Sequence, residues 1–254
     1  MAILKIDSLD GVMIVTIDRP EKRNALSREV LAELAETFTA AKDENLKAAV
    51  VTGAGDKSFA AGGDLKDLES VRTRDDARAM ANGAKQAFET IRRFPVPVLA
   101  ALNGDALGGG AELAVACDFR LFAHHARIGF VQGRLNISTA WGGGVDLMRL
   151  VGPAVGLRLL SRGEMIGGPE AMRIGLGDAT ASLGQSLDDL MVDFLMPLKA
   201  QAPQALRAFK AVATAARFSE SRDDMLRLET ETFSETWVHE DHWAAAEALF
   251  GGRK

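Results

Sequence analysis

One cysteine in 254 residues, Cys117, rules out an internal disulfide and a cysteine metal cluster. Tyrosine is absent, so no step of a mechanism can rest on a phenol. Long apolar runs are missing too. A stretch such as 96–102 falls far short of the ~20 residues a membrane helix needs, and no membrane association is expected. Nor is there an excess of positive charge: Lys and Arg number 30 against 35 Asp and Glu, a net charge of −5, which leaves no electrostatic footprint for nucleic acid. The opening Met1-Ala2-Ile3-Leu4-Lys5-Ile6-Asp7 carries no basic segment ahead of a cleavable apolar block, so a cytoplasmic protein is expected. What is present is apolar material, 47% of the chain, enough at this length to bury roughly 70–75% of the unfolded surface. Disorder, collagen and small disulfide scaffolds are thereby excluded.

The pattern along the chain is that of an α/β protein. Ile3, Leu4 and Ile6, then Asp10-Gly11, then Val12, Ile14, Val15 and Ile17 read as two short strands around a turn. Ser27 is a candidate N-cap for a helix over 28–42, with Val30, Leu31, Leu34 and Phe38 on one face. Residues 48–51 read as a buried strand, 75–93 as an amphipathic helix stopped by Pro95 and Pro97, and 98–102 as a return to the sheet. Further strands are expected at 119–122 and 128–131. Past about residue 185 strand signals cease. Leu187, Leu190, Met191, Phe194 and Leu195 form one helical face, Pro203 opens the next helix, and Leu226, Phe233 and Trp237 mark a third, with 243–250 a last one. The division expected is an α/β core over 1–190 and a helical segment over 191–254.

Two glycine-rich loops hold most of the chemical information. One is Ser58-Phe59-Ala60-Ala61-Gly62-Gly63-Asp64-Leu65. The other is Asn103-Gly104-Asp105-Ala106-Leu107-Gly108-Gly109-Gly110-Ala111-Glu112-Leu113-Ala114. Small residues let backbone approach a ligand, and the first N–H groups of a helix have no internal partner. Two such loops converging would hold a developing oxyanion. Either alone can equally serve only to turn the chain. Neither fits a dinucleotide or P-loop pattern in its proper setting.

Taken together the two loops resemble the crotonase family, the enoyl-CoA hydratase/isomerase superfamily. The similarity runs through Phe59 to Asp64 and Ala106 to Asp118, and extends to Arg19-Pro20-Glu21-Lys22-Arg23-Asn24-Ala25-Leu26, Trp141-Gly142-Gly143, Leu150-Val151-Gly152 and residues 171–176. It covers the chain from about residue 12 to its end. The resemblance implies a spiral of ββα units with a helical tail, a homotrimer or dimer of trimers built on that tail, and an acyl-CoA thioester as substrate. It implies no separate cofactor and no metal, coenzyme A being part of the substrate.

By motif position, the resemblance assigns the two amides that hold the thioester oxygen to Ala61 and Gly109. Gly62, Gly63, Asp64, Leu65 and Gly108 would line the thioester, and Trp141 the acyl pocket or the core. Lys22, Arg23 and Ala25 would meet the nucleotide end of CoA, where phosphates need cations. Glu112 takes the position of the family's first catalytic glutamate, able to exchange a proton if its pKa is tuned toward neutral. The second glutamate position holds Gln132, in Phe130-Val131-Gln132-Gly133, and an amide cannot carry a proton. The next acidic residue is Asp146. Water held between two carboxylates would thus lose one partner. The segments 116–121, 130–131 and 140–143 look most like the ethylmalonyl-CoA decarboxylase branch, in which loss of carbon dioxide leaves a thioester enolate. Hydratase, isomerase and decarboxylase all remain open, beside an acyl-CoA-binding scaffold without turnover. His124, His125, His239 and His242 are expected at the surface, and Cys117 is expected to be chemically idle.

Overall fold

A computed structural model describes residues 3–43 and 45–251 of the chain; Met1 and Ala2 of the opening segment lie outside them. The first two strands, β1 (Leu4–Leu9) and β2 (Val12–Ile17), pair antiparallel. Asp10 and Gly11 between them both have positive φ, 52° and 76°, which an Asp-Gly turn supplies. Helix α1 (Arg28–Ala40) starts at Ser27, whose hydroxyl accepts from the Val30 N–H, and buries Val30, Leu31, Leu34 and Phe38, the face read from the sequence.

From β3 (Ala48–Gly53) onward one plan repeats. A strand of a large sheet is followed by a short strand of a small sheet and then by helix. The first turn is β3, β4 (Ser58–Ala60) and α2 (Arg74–Arg92). The second is β5 (Val98–Leu102), β6 (Asp105–Leu107) and α3 (Gly109–Ala116). The third is β7 (Phe119–Phe122), β8 (Arg127–Gly129), α4 (Gly143–Val151) and α5 (Pro153–Arg162). Then β9 (Met165–Gly167), α6 (Gly168–Arg173) and β10 (Ala179–Thr180) close the spiral, and α7 (Leu187–Lys199), α8 (Pro203–Arg217), α9 (Arg222–Trp237) and α10 (Glu240–Gly251) follow. The large sheet runs β1-β2-β3-β5-β7-β10 and the small one β4-β6-β8-β9. This is the expected ββα spiral with helices after it. Strands β4, β6, β9 and β10, two or three residues each, are too short to show a period in sequence. The strand expected at 128–131 ends at Gly129 and gives way to a 3-10 turn, Gln132–Leu135.

Alternation along the parallel strands splits the core in two. Ala49, Val51, Val98, Ala100 and Leu102 face the main core with Phe38, Phe59, Phe88 and Phe94. Val12, Ala48, Val50, Leu99, Ala101 and Leu121 face the other way, onto Leu190 and Leu195 of α7. Helix α7 is therefore the outer cover of the large sheet. The division expected at 190 falls inside this helix.

Candidate active site

The two glycine loops meet because β4 and β6 are neighbours in the small sheet, and each loop leaves the same end of its strand. A Cβ placed on Gly62, whose φ is +102°, would lie 3.1 Å from the Leu107 carbonyl oxygen and 3.5 Å from the Gly109 nitrogen. Gly108, with φ +53° and ψ −115°, turns the chain into α3 through a conformation side chains rarely adopt. Among the described residues the N–H groups of Gly63 and Gly109 have no hydrogen-bond partner. The Ala61 N–H, the amide expected from the sequence, donates instead to the Arg23 carbonyl at 3.0 Å. The structure thus corrects one of the pair: the free amide of the first loop is that of Gly63, because the 23–26 segment lies alongside and takes the one from Ala61.

Glu112 is the only polar side chain of α3, and all eight residues of that helix are buried. Its Oε2 accepts from the Trp141 and Gly143 N–H groups, both at 2.9 Å; its Oε1 accepts from Gln132 Nε2 at 2.9 Å and, at 3.4 Å, from the Ala140 N–H. Burial holds its carboxyl above the usual glutamate range, and the donors from Gly143, Trp141, Ala140 and Gln132 pull the other way without cancelling it. Gln132 is brought onto Glu112 by the 3-10 turn after β8. Its side-chain oxygen is buried with no donor to meet it. Its amide carbon lies 4.0 Å from where a Cβ on Gly108 would be, so the amide group sits beside the Gly109 loop.

Trp141 packs in the core and also borders a cavity. It packs edge-on to Phe88, with ring centres 5.8 Å apart, and donates its indole N–H to Met80 Sδ at 3.3 Å. The same ring covers both glycines, since a Cβ on Gly63 would come 3.2 Å from it and one on Gly109 only 2.2 Å. Beside it, between α1 and α2, lies a cavity of about 830 Å³ lined by Leu31, Ala35, Leu68, Met80, Gly83 and Trp141.

The remaining expected residues divide. Asp64 does not offer a free carboxylate: it pairs with Arg19 at 2.8 Å, and this nearly buried pair clasps the 19–26 segment to the first glycine loop. Arg19 also donates to the Ala25 carbonyl at 2.5 Å. Leu65 is exposed, as are Lys22 and Arg23, which form no salt bridge among the described residues. Asp146, the nearest acidic residue in sequence after Gln132, turns away from Glu112 to Arg92 at 2.9 Å. Cys117 is buried, and its thiol is pushed up to about 12 by burial first and then by Asp118. Nothing in the sequence marks Arg19 or Arg92 as the partner of a buried carboxylate; an arginine closing a strand or a helix has no local signal that tells a buried partner from solvent.

The family profile described as Enoyl-CoA hydratase/isomerase matches residues 7–249. A probable enoyl-CoA hydratase of Bacillus subtilis is 34% identical over 252 residues, covering 96% of this chain and 93% of its own. An ethylmalonyl-CoA decarboxylase of Gallus gallus is 30% identical over 231 residues, covering 89% and 76%. The crystal structure of an enoyl-CoA hydratase from Bacillus anthracis superposes with a TM-score of 0.91 at 28% identity, covering 99% of this chain and 97% of that one.

Proposed function

The chain belongs to the enoyl-CoA hydratase/isomerase family, and from that premise we propose that it adds water reversibly to a 2-enoyl-CoA thioester, with Glu112 as the single carboxylate that moves protons. The observation that carries this is the buried Glu112 with raised pKa, one helical turn from the free Gly109 amide. Its Oε2 is held by two short backbone bonds, whereas Oε1 has one short bond and one long one, so Oε1 is the oxygen with room for a proton. Glu112 takes a proton from water as the water oxygen bonds to C3. The C2–C3 π electrons move onto the thioester oxygen, where the Gly63 and Gly109 N–H groups receive the charge; donors so placed are each worth about 3–4 kcal/mol of barrier. The enolate then collapses, and Glu112 returns the proton to C2. One carboxylate suffices when the same group carries the proton both ways. Gln132 cannot take a proton, but its unpartnered oxygen can accept from the second hydrogen of the water.

The acyl chain would lie in the cavity between α1 and α2, and the exposed Lys22 and Arg23 would meet the phosphates of CoA, with Ala25 beside them. No cofactor is needed beyond the CoA the substrate brings. A cytoplasmic protein is part of the same reading; among the described residues no helix is long and apolar enough to cross a membrane.

Loss of carbon dioxide from a malonyl-type thioester is the second reading, favoured by the neutral Gln132 and by the decarboxylase relative. It leaves a thioester enolate of the same kind, lacking the 3-hydroxyl, and asks for one proton at C2. Double-bond isomerisation of a 3-enoyl thioester also needs only one carboxylate. Assaying crotonyl-CoA, a 3-enoyl-CoA and ethylmalonyl-CoA with one preparation separates the three. Hydration of crotonyl-CoA as the fastest reaction is expected, and Glu112→Gln should lower it about 10²–10⁴-fold while CoA-thioester binding persists. Carbon dioxide release outrunning hydration would make the second reading the right one.

A further inference from the structure

Two arginines that the mechanism above leaves idle share one buried carboxylate. Asp146 of α4 accepts from Arg92 Nε at 2.9 Å on one oxygen, and from Arg217 Nε at 3.1 Å and Nη2 at 2.9 Å on the other. Each arginine then grips a different part of the setting of Glu112. Arg217, at the end of α8, donates to the Val115 carbonyl at 2.5 Å and to the Ala116 carbonyl at 2.9 Å. These are last-turn carbonyls of α3, the helix that carries Glu112, and they have no partner inside it; a cation there also suits the helix dipole. Arg92 donates Nη2 to the Trp141 carbonyl at 3.1 Å. The N–H of Trp141 and that of Gly143 are the two that hold Glu112 Oε2. Gly142 between them has φ +93°, a conformation side chains rarely adopt, and a Cβ there would lie 2.7 Å from Arg92 Nη2.

We propose that Arg92, Asp146 and Arg217 form a positioning bridge that sets the Glu112 carboxylate, so that the helix α8 beyond the spiral is a working part of the active site. Asp146 ties the arginine holding the helix under Glu112 to the arginine holding the loop that orients it. Without Asp146, Arg92 keeps only a pair with Glu89 at 3.6 Å and Arg217 one with Asp118 at 3.9 Å, and helix and loop lose their common anchor. A displacement of ~1 Å at a reacting group can cost on the order of 10²-fold in rate. The proposal rests on Glu112 being the proton carrier.

The bridge can be tested by chemical rescue, because Arg217 and Asp146 border a cavity of about 610 Å³ whose wall includes Phe209, Lys210 and Ser219. A free guanidinium ion can reach the place of a deleted Arg217 side chain through it. The assay is exchange of the C2 hydrogens of butyryl-CoA for deuterium, with butyryl-CoA affinity measured alongside. Arg217→Ala is expected to slow exchange about 10–100-fold with affinity within about twofold, and added guanidinium chloride to recover much of it where sodium chloride does not. Asp146→Asn should slow exchange similarly and not respond to guanidinium. Phe209→Ala, an exposed wall of the same cavity, should behave as wild type. Should Arg217→Ala not fold, Arg217→Lys keeps a charge for Asp146 but cannot span both carbonyls, and about tenfold slower exchange at unchanged affinity is expected. Exchange within twofold of wild type in the Arg217 variants, or rescue by either salt alike, overturns the bridge. Exchange that survives in Glu112→Gln refutes the reading of Glu112 itself, whatever the Arg217 variants do.

Discussion

Glu112 is a carboxylate surrounded by an otherwise apolar helix, and its ionisation is a contest between lost water and gained donors. Burial is the larger effect, so its folded pKa lies above the ordinary glutamate range. Two consequences follow, with opposite uses of the same shift. Hydration needs Glu112 ionised, so kcat/KM should fall on the acid side at a higher pH than an exposed carboxylate would give, and a pH profile of kcat/KM reads this for the free enzyme. Stability runs the other way. A group with a raised folded pKa contributes stability that is complete below the unfolded value and is lost as pH rises through the folded one. Gly109 offers a second test at this scale. Its missing Cβ would stand 2.2 Å from the Trp141 ring, so Gly109→Ala must displace either the amide or the indole. A loss of about 10²–10³-fold in kcat is expected, as for removal of one oxyanion donor. Trp141→Leu in the same chain should recover part of it, and a double-mutant cycle measures how much. Cys117, buried and with its thiol pushed up to about 12, should resist alkylation in the native protein and react once the chain is unfolded.

At the scale of elements, α2 is the most tunable. Gly83 lies within it at the edge of the cavity, and a Cβ there meets nothing within 4 Å. Gly83→Ala should stabilise the protein by about 0.5–1 kcal/mol, through helix propensity and a less mobile unfolded chain, measured by denaturant unfolding. Gly83→Phe projects a ring into the cavity. It should lower kcat/KM for long acyl chains far more than for crotonyl-CoA; equal losses would place the acyl chain elsewhere. Helix α8 is fastened by a second buried contact besides Arg217: Lys210 Nζ meets both oxygens of Asp118, at 2.5 and 2.6 Å. Burial lowers the pKa of Lys210 even against that partner. Lys210→Ala would leave Asp118 with the Val98 N–H at 2.8 Å and Arg217 at 3.9 Å, and should cost about 1–3 kcal/mol of stability.

In the whole molecule the spiral closes on itself, but its helical end does not. Helix α9 buries none of its residues within the chain, and Phe233, Trp237 and Trp243 stand 57%, 47% and 49% exposed. Apolar groups gathered in that way mark an interaction surface. A trimer or dimer of trimers formed by these helices is expected by sedimentation, and Phe233→Glu with Trp237→Glu should shift it toward monomer. A wild-type chain that sediments as a monomer at micromolar concentration would contradict this.

Whatever is local and periodic is legible in the residues alone: the face of α1 and its Ser27 cap, the buried β5, the helices after residue 185, and the two glycine loops with Glu112 and Gln132 beside them. Such signals are written in neighbouring residues, which set propensity, capping and the faces that must leave water. Tertiary structure decided which amide of the first loop is free. The N–H groups of Ala61 and Gly63 are alike in sequence, and only the 23–26 segment, arriving from elsewhere in the chain, takes the first and leaves the second. It also turned Asp146 away from Glu112 and gave Asp64 to Arg19, because a buried charge must find its opposite wherever the fold brings one. The shortest strands were settled the same way, their two or three residues held by neighbours in the sheet rather than by any pattern of their own.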